Sequence, residues 1–90
     1  MNLYHVSQKV HRGYDTYSDA VIAATSEDEA RTFHPRKVAV WNGVEWVDKE
    51  DAGFDWNREW AKPSEVEVKL IGTACHDVTR GVVACSYHAG

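Results

Sequence analysis

Cysteine is scarce in this chain: Cys75 and Cys85 are the only two among ninety residues. A single pair makes no disulfide framework, and a reducing cytoplasm is the expected compartment. The six glycines stand singly, without a G-x-x-x-x-G-K run to cradle a phosphate. Long apolar runs are missing as well. None approaches the roughly 20 residues that a membrane-spanning helix needs. The opening MNLYHVSQ lacks the basic start and apolar core of a signal peptide. A basic surplus is also absent: ten Lys and Arg face fourteen Asp and Glu, for a net charge of −4 at pH 7. A surface of that sign repels phosphate backbones, so direct nucleic-acid binding is not expected, whereas a basic protein surface would be attracted.

What the chain does have is aromatic and acidic, and both are concentrated. All four tryptophans lie in the stretch VWNGVEWVDKEDAGFDWNREW, residues 40–60. From Met1 to Lys37 there are five acids and five bases, and from Trp60 to Gly90 three of each. Glu45 to Glu59 carries six acids against two bases, so the whole net charge sits there. Ninety residues make one domain, 1–90, with residues 38–62 as an acidic aromatic insert within it. A chain this short buries a modest share of its surface, so either marginal stability or help from self-association as a homo-oligomer is expected.

Asn2 to Gln8 reads as a strand with Tyr4 and Val6 on one face and Leu3, His5 and Ser7 on the other. Ala20 to Ala24 is a short apolar run, as in a central strand buried on both faces. Ser26-Glu27-Asp28-Glu29 fits a capping box at the start of a helix of about two turns, with acids at the positive end of its dipole. Pro35 stops that helix near His34. Lys37 to Val47 looks like a hairpin with a two-residue turn at Asn42-Gly43, which sets Trp41 opposite Val44. Phe54 to Trp60 would be a helical turn with Trp56 and Trp60 stacked four apart. Val66, Val68 and Leu70 alternate as one face of a strand. Val82 to His88 is the last strand, joined to it by a hairpin through His76 to Gly81. The fold class is α+β: a small, mostly antiparallel sheet of order ββαββ with an inserted hairpin and one short helix packed on it.

The opening LYHVSQ, the block GYDTYSDAVIAATSEDEARTFHP and the ending VEVKLIGTA…GVVACSYHAG together resemble a family of small tailed-bacteriophage proteins. The likeness spans about two thirds of the chain, Leu3 to Pro35 and Val66 to Gly90. It implies a phage or prophage origin and action in the cytoplasm of a host bacterium. It carries no catalytic residues to transfer. Tyr14, Asp15, Tyr17 and the terminal Gly90 recur in that family.

Catalytic and metal constellations are weak. His34, Cys75, His76, Cys85 and His88 are soft ligands, but adjacent Cys75 and His76 point to opposite faces of a strand, and four groups do not converge. A Cys75–Cys85 bridge fails on register, and both are expected as free, half-buried thiols. Cys85, Ser86 and His88 lack the frame of a nucleophile site. No metal, no cofactor and no enzymatic activity are expected.

Three functions of different classes remain, the third a virion or assembly accessory with only structural contacts. In the first, the chain docks on a host bacterial protein with a basic surface and inhibits it, as an acidic mimic of a phosphate backbone. Trp41 and Trp56 are the expected partly exposed anchors, with Trp46 and Trp60 structural. Glu45, Asp48, Glu50, Asp51, Asp55 and Glu59 are the expected acidic rim. In the second, the chain sequesters a nucleotide signalling molecule in an anti-defence role, in a groove lined by Tyr14, Tyr17 and Arg12. A bland reading stands beside each: a solvated loop for the acids, and an aromatic lid on the sheet for the tyrosines.

Overall fold

Alternation shapes the first strand, β1 (Asn2–Ser7): Tyr4 and Val6 are buried, while Leu3, His5 and Ser7 between them are half-buried. The computed structural model describes residues 1–13, 15–50 and 55–88, the side chains of Tyr87 and His88 excepted. Strand β2 (Thr16–Ala24) pairs antiparallel with β1, setting Ala20 against Val6 and Ile22 against Tyr4. Ala20, Ile22, Ala23 and Ala24 are all buried, as a central position requires, and the strand reaches back to Thr16.

The last two long strands, β5 (Glu67–Thr73) and β6 (Gly81–His88), complete a four-stranded antiparallel sheet of order β5-β1-β2-β6. They are neighbours in sequence but lie on opposite edges, so the hairpin expected through His76 to Gly81 is not formed. The β1–β2 pair has two bare edges. A β5–β6 hairpin could cover at most one of them, whereas one strand on each edge covers both. Val66, just before β5, and Val68 on it turn inward as expected, but Leu70 is 55% exposed. The ladder skips Ile71 between the Leu3–Gly72 and Tyr4–Leu70 pairs, a bulge in this edge strand.

The capping box is present, with a shorter helix behind it. Helix α1 (Glu27–Ala30) is a single turn. The Glu29 amide donates to the Ser26 hydroxyl at 3.1 Å, and the Glu29 carboxylate accepts from the Thr25 amide at 3.0 Å. The turn buries Ala30 against the sheet, and the chain then leaves the helix well before Pro35.

Residues 38–50 and 55–62 form the second layer. Strands β3 (Ala39–Trp41) and β4 (Trp46–Asp48) pair antiparallel, with Trp41 opposite Trp46 rather than Val44. The turn is therefore a four-residue loop. Asn42 sets it: its side-chain oxygen accepts from the amides of Val44 and Glu45, each at 2.8 Å, and its own amide donates to the Glu45 carbonyl. A two-residue turn would forfeit the indole pair, whose ring centres lie 5.2 Å apart at 64°. Residues 55–60 form turns, not a helix, and Trp56 and Trp60 meet through His34 rather than stacking on each other.

One hydrophobic cluster joins the layers: Tyr4, Val6, Ile22 and Val66 from the sheet side meet Trp46, Trp56 and Trp60 from the insert. The Tyr17 amide donates to the Glu59 carbonyl at 3.0 Å, and the Trp46 indole N–H to the Ala61 carbonyl at 3.0 Å. The Arg31 guanidinium holds the segment after α1 to the approach to β5 through the carbonyls of Pro63 and Val66. The architecture is α+β. Among the described residues no helix is long and apolar enough to cross a membrane.

Candidate functional site

The tryptophan-rich segment faces inward around one histidine. His34 is 1% exposed. Trp46 lies 5.2 Å from it, Trp56 6.0 Å, Tyr17 6.1 Å and Trp60 6.4 Å, ring centre to ring centre. Both ring nitrogens are engaged: Nε2–H donates to the Trp56 carbonyl at 3.0 Å, and Nδ1 accepts from the Arg36 amide at 2.9 Å. That arrangement suits the neutral ring only. Burial pushes its pKa down to about 4; the Trp56 carbonyl opposes this and the Arg36 guanidinium adds to it. Arg36 itself covers the cluster, 5.2 Å over the Trp56 ring and 5.9 Å over the Tyr17 ring.

This packing corrects several expectations. Trp56 is 7% exposed and no docking anchor: its indole N–H donates to the Asp48 carboxylate at 2.8 Å. Asp48 is thereby spent inside, its other oxygen accepting from the Glu50 amide at 2.8 Å. Asp55 accepts from the backbone and side-chain amides of Asn57, at 2.9 and 2.7 Å, and the side-chain amide first, then the backbone, hold its carboxyl below the usual range. Glu59 is half-buried. Only Glu45 and Glu50 among the expected rim face outward without a described side-chain partner, and Asp51 lies outside the described residues. Trp46 and Trp60 are structural, each 1% exposed. Tyr17, expected in a ligand groove, is 5% exposed, and burial pushes its hydroxyl pKa up. Arg12 is exposed, and Tyr14 lies outside the described residues. Cys75 and Cys85 are free but exposed rather than half-buried. Among the described residues no group of three or more His, Cys, Asp or Glu could hold a metal ion.

The remaining indole borders open space. Trp41 is half-buried, its inner side against Trp46, and it lines a cleft of about 560 Å³. The cleft lies between the β3–β4 hairpin, the segment after α1 and the start of β6. Phe33 and Trp41 give it apolar walls, and Lys37, Lys49 and Arg80 surround it. The fold assembles these from three distant parts of the chain. Phe33 bridges to Val40, and the Lys49 amide donates to the Val38 carbonyl at 2.9 Å, which sets Lys37 and Lys49 at the root of the hairpin. Gly81, at φ 120°, takes a left-handed backbone and lies under Phe33, whose ring would be 3.8 Å from a Cβ placed there. Arg80 is directed by Glu29, with Nε 3.2 Å from the carboxylate.

Sequence reasoning missed this cleft. Lys37 and Lys49 bracket the hairpin, and the cross-strand pairing that unites them was a usable signal. Arg80 carried none, because the crossing from β5 to the far edge was not foreseen. No family model, no curated protein and no solved structure matches the chain.

Proposed function

We propose that this chain is a small capture protein with no catalytic role, which takes a compact ligand into the cleft between the β3–β4 hairpin and the sheet. The observation that carries the reading is the cleft itself. Its volume of about 560 Å³ falls within the roughly 300–1,000 Å³ usual for small-ligand sites. Its walls are apolar and aromatic, with polar groups at the rim. This is the sequestration reading, with its site moved from Tyr14, Tyr17 and Arg12 to the hairpin root. The likeness to tailed-phage proteins supports placing it in a host bacterial cytoplasm, where removing a signalling molecule would act against defence.

A thermal-shift screen of the full chain against small metabolites tests the reading. A ligand at a hundred times its Kd stabilises the folded state by about 2.7 kcal/mol, a shift of roughly 10–20 °C for a domain of this size. The exposed rim variant Thr79→Trp should fill the cleft and abolish the shift while leaving the unliganded melting temperature nearly unchanged. Shifts that persist in that variant would place binding elsewhere.

A second reading, docking on a host protein, is favoured by one feature. The hairpin tip projects, with Val44 76% exposed beside Glu45 and the loop braced by Asn42 and the indole pair. A host protein retained by the native chain and lost with Val44→Asp/Glu45→Lys would support it; equal retention by both would oppose it.

A further inference from the structure

We infer that the ligand of this cleft is an anion carrying a flat ring, the chemistry of a free nucleotide. The inference rests on the capture reading and adds the ligand class.

Charge is the first ground. The chain as a whole carries −4, yet Lys37, Lys49 and Arg80 line this cleft and no carboxylate does. Neither lysine forms an ion pair with a described carboxylate. A phosphate placed beside these side chains would gain charge-assisted bonds, above all from the two lysines. Arg80 already shows how such a group is held: Glu29 meets it from the helix side at 3.2 Å and fixes its direction at the rim.

The second ground is the wall. Phe33 and Trp41 are partly buried and packed against the core, so their rings are fixed before any ligand arrives. A rigid aromatic surface favours a stacked base at little entropic cost. A ring and an anion are thus recognised by different residues in one site, and each half alone should bind weakly.

Free nucleotides and the end of a single-stranded nucleic acid share this chemistry. The sign of the chain's net charge favours the free form, because further phosphates of a strand would leave the cleft and meet an acidic molecule.

The test is a calorimetric titration of the full chain with six probes: adenosine and guanosine 5′-monophosphates, adenosine, inorganic phosphate, the neutral ring compound 1-naphthol, and a six-nucleotide single strand. The monophosphates should bind at least about tenfold tighter than adenosine or phosphate. Lys37→Ala/Lys49→Ala and Arg80→Ala should each weaken them by about tenfold or more, the effect expected for losing charge-assisted contacts. Lys62→Ala, outside the cleft, should not. Adenosine or 1-naphthol binding as tightly as the monophosphates, or cleft variants binding normally, would overturn the ligand class while leaving capture intact. An oligonucleotide binding tighter than the monophosphates would overturn the free-nucleotide assignment. No binding by any probe would overturn the ligand class and leave the capture reading to stand or fall on the metabolite screen.

Discussion

His34 is where a single residue governs most. Unfolded, its ring protonates near 6.5; folded, burial lowers this to about 4. Between those values the unfolded chain holds more protons, so stability is complete above pH 6.5 and declines as pH falls toward 4, by roughly 3 kcal/mol in all. Urea unfolding at pH 7 and at pH 4.5 should show that decline, and the ring's NMR signal should remain that of the neutral Nε2–H form at pH 5.5. A ring titrating near 6.5 would contradict it. Two tryptophans of equal burial make a second test. Trp46 and Trp60 are each 1% exposed, but only the Trp46 indole has a described acceptor, the Ala61 carbonyl. Both lose similar volume on replacement by Phe. Trp46→Phe also orphans a buried carbonyl, so it should cost about 1 kcal/mol more than Trp60→Phe in chemical denaturation.

Elements were legible where the signal was local. The Ser26–Glu29 cap is a contact between near neighbours, and it formed; Ser26→Ala should destabilise by about 1 kcal/mol in denaturant unfolding. The helix it starts was read as longer, because its length depends on how soon the sheet takes over the packing of Ala30 and Phe33. The period-two pattern of β1 was legible for the same local reason, as was the apolar run in β2. The Asn42-Gly43 pair marked a turn but not its length, since cross-strand indole packing decides between a two-residue and a four-residue loop. Gly43 has φ 101° with open space around it, so Gly43→Ala should cost about 1 kcal/mol through backbone strain alone, read from thermal melts. Asn42→Ala, which removes two acceptor bonds at the tip, should cost a similar amount.

At the scale of the whole molecule, sequence reasoning found the α+β class and the inward roles of Trp46 and Trp60, but not the order of strands. β5 and β6 separate to opposite edges because the β1–β2 pair needs both, a constraint no local pattern records. Arg80 was hidden for the same reason, since it joins Phe33, Trp41 and Lys49 only once that crossing is made. Acidic residues misled because Asp48 and Asp55 looked like free charges and serve instead as acceptors for Trp56 and Asn57. The molecule therefore combines an acidic exterior with a basic cleft, and anion uptake there should weaken as salt rises from 0.05 to 0.5 M (about a threefold fall in screening length), measured by titration at each ionic strength. The most direct measurement is amide chemical-shift mapping on the labelled full chain as a nucleoside monophosphate is added. Changes concentrated at Phe33, Lys37, Trp41, Lys49 and Arg80 are predicted. Changes centred on residues 12–17, or none anywhere, would contradict a ligand site at the hairpin root.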